Sequence, residues 1–145
     1  MPSKELCFLS ADDLSRLIAS KKVSPVEVVR AHQERIDATE PTLNAFITRL
    51  DEEALQAAHR AEREIQEGKH RGPLHGIPVG LKDLYYLKDA PNTSGSKIFQ
   101  DFVPDYDSTV VSRLKEAGAI VMGKLNLHQF AFGPLGVNAD YGDMH

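Results

Sequence analysis

The chain has 145 residues, 41% hydrophobic and 26% charged, with 21 acidic against 17 basic residues for a formal net charge of −4. That is the make-up of one soluble globular domain with a real hydrophobic core, not two, and the acidic balance leaves no footprint for non-specific nucleic-acid binding. Cys7 is the only cysteine, which excludes an intramolecular disulfide and a cysteine-built metal cage and suits a reducing, cytoplasmic setting.

The opening stretch, MPSKELCFLSADD, reaches Asp12 and Asp13 before any long apolar run, so it reads as neither a secretory signal nor a membrane anchor. Ser10 with Asp13 three residues on resembles a capping box, and Leu14, Leu17 and Ile18 recur at helical spacing, which predicts a short amphipathic helix to about Ser20. In SPVE, Ser24 is an N-cap, Pro25 the first helical residue and Glu27 the residue that reaches back. Val28, Val29, His32 and Ile36 form the stripe of this second helix, and Pro41 is expected to end it.

NAFIT predicts a short strand. Asp51 to Glu67 predicts a third helix carrying Leu55, Ala58 and Ile65, closed by Gly68. Lys69 to Gly76 is a loop, and it leads into HGIPVGLKDLYY, where Ile77, Val79 and Leu81 alternate with smaller residues as in a buried strand that ends on Lys82. The long connection after Lys82, broken by proline and glycine, is too polar for a core element, and loops of that kind are often functional. Asp107 or Ser108 then caps a helix through Val110, Val111 and Leu114 that stops at Gly118, and AIVMGK is a short apolar strand. Strand, helix, strand points to a crossover and parallel pairing. Asn126 is a cap for one more short helix, LHQFAF, and the remainder is rich in turn formers.

A lysine at a strand end is ordinarily solvated, its stem lying along apolar surface. The alternative is a lysine buried enough to lose its charge and accept a proton. Asp83 beside Lys82 would oppose that, but neighbouring strand residues point to opposite faces. Glycines 72, 76 and 80 and the pair Gly123-Lys124 do not make a phosphate loop: Gly118 has the spacing, yet Leu125 follows Lys124 where a magnesium-binding hydroxyl is required. The six histidines, at 32, 59, 70, 75, 128 and 145, lack paired metal-ligand spacing and read as surface or loop residues, so neither His75 nor His128 is expected to bind metal. Ser94 and Ser96 offer hydroxyls, but GxSxG is absent and TSGS reads as a turn.

Taken together and in order, GPLHGIPVGLKD, NTSGSKIF, VPDYDSTVVSRLKEAGAIVMGKLNLHQFAFG and NADYG resemble the N-terminal part of the amidase signature family. The similarity covers nearly the whole chain and is weakest over the first helices. Members are serine hydrolases of carboxamides built on a large α/β/α sheet, with a triad of a nucleophilic serine, a second serine held by a cis peptide, and a lysine. The fold this implies is α/β: N-terminal helices followed by the first strands and crossover helices of a mixed sheet, with residues 1–68 mainly helical and 69–145 the start of the α/β core of a single amidase domain.

The family's lysine lies in a G-I-P-x-x-x-K-D motif, matched here by Gly76-Ile77-Pro78 and Lys82-Asp83, so the resemblance implies that Lys82 is the catalytic base. It also implies substrate contacts at Phe132 and Gly133, a small-molecule amide as substrate, no metal or organic cofactor and, for the general amidase reading, no nucleic acid as partner; no membrane partner is expected either. The serines belong to a G-G-S-S-G-G-type loop that follows the tyrosine-glycine motif, and this chain ends four residues beyond Tyr141, so a truncated piece inert by itself is expected. Family members often carry T-N-M after the glycine-lysine pair, where this chain has Leu125-Asn126-Leu127. Pro134 stands where a small hydroxyl residue is common in the transamidating branch, which ranks the amidase-type component of a tRNA-dependent amidotransferase behind a general amidase. A reading of another class is a non-catalytic module that joins a partner through an unfinished sheet edge.

Overall fold

The computed structural model describes residues 3–145, with side chains from residue 5 onward; Met1 and Pro2, which begin the stretch read as neither signal nor anchor, lie outside the described residues. A four-residue helix, α1 (Ser3–Leu6), precedes α2 (Ala11–Ala19). Only half of the expected capping box forms at α2. Ser10 Oγ accepts the Asp13 amide at 3.1 Å, while the Asp13 carboxylate takes the Ser10 hydroxyl at 2.7 Å.

At α3 (Pro25–Leu43) the box is complete: Ser24 Oγ accepts the Glu27 amide at 3.1 Å and Glu27 Oε2 accepts the Ser24 amide at 2.8 Å. Contrary to the sequence reading, Pro41 does not end α3, which continues to Leu43. So near the C-terminus a proline removes one amide from a ladder about to close. Asn44 performs the closure in the left-handed region (φ 48), its amide donating to the Glu40 carbonyl at 2.9 Å.

The Glu40 carboxylate then accepts the Phe46 amide at 2.8 Å, leading the chain into β1 (Phe46–Arg49). In α4 (Asp51–Gln66), Ala54, Ala58, Ala61 and Ile65 form one buried stripe. No side chain caps this helix, but Asp51, Glu52 and Glu53 in its first turn complement the helix dipole. Gly68, at φ 80, closes it.

Strands β2 (Pro78–Lys82) and β3 (Ile120–Leu125) are joined through α5 (Thr109–Glu116). They pair in parallel, β1 pairs with β3 antiparallel, and the order β1-β3-β2 leaves β2 at an edge of the sheet. Alternate residues of β3 build two cores. Ile120 and Met122 pack with Val26 and Val29 of α3 and Ala54, Ala58 and Ala61 of α4. Val121 packs on the other side with Leu81, Leu87, Ala90 and Val111. A third cluster joins Leu14 and Ile18 to Val28, Ile65 and Ile77.

The chain is thus a mixed α/β unit. Further local details depart from the sequence reading. Asn126 caps nothing: its side chain is buried, donates to the carbonyls of Asn44 and Gly142 at 3.0 Å each, and so ties the C-terminal turns to the end of α3. The segment read as a helix is a 3-10 turn, Gln129–Ala131, interrupted at Phe130 (φ 55). His75 lies in a loop as expected, yet it is 1% exposed rather than at the surface.

Candidate active site

The site forms where β2 ends. Pairing along β2 sets Leu81 opposite Lys124 and Lys82 opposite Leu125. The ladder extends one residue further, the Asp83 amide donating to the Leu125 carbonyl at 3.1 Å. The strand then stops in a tight turn, with the amides of Leu84 and Tyr85 both donating to the Lys82 carbonyl, at 2.6 and 3.0 Å.

Alternation along this strand decides the side chains: Leu81 is buried, Lys82 exposed and Asp83 fully buried. Among the described residues the Lys82 ammonium has no hydrogen bond or ion pair. In this chain Lys82 is therefore exposed, not the buried lysine that the alternative reading of the strand end describes. With Leu81 held in the core, the pleat turns the next side chain to the opposite face.

Asp83 takes the inward place instead. Its Oδ2 accepts the Thr93 amide at 2.9 Å and the Thr93 hydroxyl at 2.5 Å, and its carbonyl accepts the Ser94 amide at 3.0 Å. Its Oδ1 lies 2.8 Å from the ammonium of Lys124, and both side chains are 0% exposed. Lys124 also donates to Asn92 Oδ1 at 2.9 Å and to the Pro91 carbonyl at 3.2 Å, so its three N–H groups have three acceptors. Burial pulls its pKa down from the ordinary lysine range, and the Asp83 carboxylate acts in the opposite direction.

Lys124 is the residue that motif reading missed, having weighed it only as part of a phosphate loop. The available signal was an apolar strand carrying a lysine, which applies to AIVMGK as much as to HGIPVGLK.

The 93–96 segment is a turn, as expected, closed by the Ser96 amide on the Thr93 carbonyl at 3.0 Å with Ser94 at φ 54 and Gly95 at φ 71. It is held from a second side by the NADYG stretch. Asn138 Nδ2 donates to the Gly95 carbonyl at 2.9 Å, and Asp140 Oδ2 accepts the Ser96 hydroxyl at 3.1 Å and the Lys97 amide at 2.9 Å. Gln129 Nε2 donates to both Ser96 Oγ and Asp140 Oδ2. These polar side chains, scattered in sequence, set one loop beside the end of β2.

Phe132 is 93% exposed. Gly133 backs onto the His128 ring, where a Cβ would come within 2.5 Å of Cε1. Among the described residues no group of three or more His, Cys, Asp or Glu side chains is gathered to hold a metal ion, and no helix is long and apolar enough to cross a membrane. A separate cleft of about 530 Å³ lies at the opposite, N-terminal end of β3, lined by both signs of charge, Arg60, Arg71, Lys88 and Lys115 with Glu53, Glu64 and Asp89, and by apolar residues such as Leu87 and Val121.

The geometry so far is that of a mixed α/β unit with the ends of two parallel strands set beside a tightly braced polar turn. Residues 27–145 match the Amidase family model, and the chain belongs to that family. It is 41% identical over 99% of its length to the A component of glutamyl-tRNA(Gln) amidotransferase from Anaeromyxobacter dehalogenans, covering 29% of that protein. The corresponding protein of Geobacter metallireducens is 46% identical over 95% of the chain, which covers 28% of it. The solved peptide amidase of Stenotrophomonas maltophilia superposes with a TM-score of 0.86 at 33% identity, over 94% of this chain and 29% of that one. The chain therefore spans less than a third of the length of each of these relatives.

Proposed function

We propose that residues 1–145 are part of a single amidase domain that hydrolyses carboxamides of small molecules, with Lys82 as the general base. The observation that carries this reading is the placement of Lys82. Its backbone is fixed at the end of β2 by the Leu125 carbonyl, which accepts the amide of the next residue, and by two amides on its own carbonyl, while its side chain is exposed on the face opposite Asp83. A lysine so held is oriented without being committed to a partner among the described residues. The relatives are more than three times as long, and their remaining length is available to cover that face and desolvate the ammonium.

In the mechanism the family implies, a neutral Lys82 takes a proton from the bridging serine as that serine takes one from the nucleophile attacking the amide carbonyl. Both serines belong to the rest of the domain. Phe132, projecting into open space, and Gly133 beside it are placed by this reading against the substrate. A cytoplasmic location agrees with the lone Cys7, which is half-buried and donates to the Ala31 carbonyl at 3.3 Å.

A second reading is favoured by the curated relatives, which are named as amidotransferase components and whose identity reaches 46% despite Pro134. One design tests both. Residues 1–145 are grafted in place of the matching segment of the Stenotrophomonas peptide amidase and, separately, of the Geobacter protein. Turnover that depends on Lys82 in the first host supports the hydrolase; turnover restored in the second alone supports the amidotransferase. Wild-type turnover by Lys82→Ala in both hosts defeats the assignment of the base.

A further inference from the structure

We propose that Lys124 is a positioning residue for Lys82: as counter-ion to Asp83 it removes a negative charge from beside the base and anchors the strand end that carries it. The inference rests on the reading of Lys82 as base, and it assigns a task to a buried ion pair that this reading does not use.

A base one residue away from a buried carboxylate has an electrostatic problem. Lys82 points to the opposite face and is exposed in this chain, but where the rest of the domain covers it, an uncompensated negative charge one residue away favours the protonated form of the lysine, which cannot accept a proton. Asp83 is nonetheless needed where it is, because its carboxylate and carbonyl together hold the amides of Thr93 and Ser94 and the hydroxyl of Thr93. Lys124 resolves the conflict. Its ammonium lies 2.8 Å from Asp83 Oδ1, entirely away from solvent, so the pair presents a dipole to Lys82 in place of a charge.

Few other charges enter this pocket. The elements packed around it are β1, β2, β3 and residues 90–96; β1 sets Thr48 opposite Lys124, and the side chains bonded to the pair are Asn92 on Lys124 and Thr93 on Asp83, all neutral. Asp83 is the ionisable group that acts on Lys124. Asp140 bears on the far end of the 93–96 turn, through Ser96 and the Lys97 amide.

Burying an ion pair costs more than an apolar pair of similar volume and confers little stability. A lysine in an otherwise apolar β3 that satisfies all three of its N–H groups on one carboxylate and one loop is better accounted for by what it does to Asp83 and its neighbour.

The test uses the active chimera with the peptide amidase and reads the acid limb of the kcat/KM pH profile, which reports the base of the free enzyme. Lys124→Met leaves Asp83 unneutralised and is expected to move that limb to higher pH by about one pH unit. Asp83→Asn leaves Lys124 unneutralised and moves it by a similar amount to lower pH. The double variant removes both charges and brings the limb back to the wild-type position. A purely structural role predicts lower activity with an unmoved limb, and that outcome in folded single variants overturns the inference.

Where Lys124→Met does not fold, Asp83→Asn and the double variant carry the decision: opposed positions of their limbs support it, coincident ones overturn it. If Lys82→Ala retains wild-type activity, the assignment of the base has failed. If Lys82→Ala is inactive and the limbs stay fixed, only the role of Lys124 has failed.

Discussion

Gly118 lies directly under the ring of His75, so close that a Cβ on the glycine would sit 2.4 Å from His75 Cδ2 and 3.1 Å from His75 Cα. The same glycine has φ 84, and its carbonyl accepts the Gly76 amide at 2.9 Å. The end of α5 and the entry to β2 are thus packed through a position with room for no side chain.

Gly118→Ala therefore meets two penalties, a left-handed backbone and contact with a buried ring. We expect a loss of about 2–4 kcal/mol in stability, measured by urea unfolding. Gly68, also at φ 80, has nothing within 4 Å of its would-be Cβ. Gly68→Ala should then cost only about 1 kcal/mol, the backbone share. Equal losses at the two sites would show that the His75 contact is relieved without cost.

His75 makes the fold pH-dependent. Its Nδ1 accepts the Arg71 amide at 3.1 Å, so the neutral tautomer carries its proton on Nε2, which faces Glu64 Oε2 at 3.1 Å. Burial lowers the His75 pKa; Glu64 opposes this, and Arg71 and His70 add to it. A histidine whose folded pKa is depressed contributes stability above its unfolded value of about 6.5, and that contribution is lost as pH falls through and below it. Glu64 is held below its usual range chiefly by Arg71, so its own loss comes only at lower pH. Unfolding midpoints should fall between pH 7 and 5, and His75→Gln should flatten that fall. A wild-type midpoint constant over this range would contradict the burial argument.

In the 145-residue chain, Lys124→Met should cost about 3–5 kcal/mol, because it strands a buried carboxylate. The double replacement Asp83→Asn/Lys124→Met should recover most of this, since removing both charges leaves no unpaired ion. A double-mutant cycle on unfolding free energies gives the coupling directly.

The isolated chain should not turn over amides, because a base contributes only when a nucleophile is positioned to use it. In the peptide amidase chimera, Lys82→Ala should lower kcat by about 10²–10⁴-fold, and Lys82→Arg should fail as well, since guanidinium stays protonated. Phe132→Ala should raise KM with little change in kcat, as loss of uniform binding does. Steady-state kinetics on purified variants separates these outcomes, and amide cleavage by the isolated chain that survives Lys82→Ala would contradict the mechanism.

Much of the architecture was legible from local chemistry. Ser24, Pro25 and Glu27 define the start of α3 within four residues, Gly118 marks the end of α5, and the apolar runs ending at Lys82 and Lys124 mark the two parallel strands. Each of these signals acts through the chain's own neighbouring backbone. Pro41 misled because a proline in a last helical turn removes a bond that matters little once Asn44 closes the helix. Asn126 misled because its partners, the carbonyls of Asn44 and Gly142, are remote or follow an irregular turn.

Residue order alone carries the α/β pattern, the strand that ends on Lys82 and, through the succession of motifs, the amidase resemblance. Which lysine is buried is settled by the fold. Both Lys82 and Lys124 lie at or near the ends of apolar strands, and no local rule separates them. Their fates follow from what covers each face: Lys124 lies on the face closed by Asp83 and the 91–93 segment, whereas the pleat turns Lys82 to the opposite face, which is open at that point. Burial is a property of what lies across a strand, and strand neighbours are set by contacts distant in sequence.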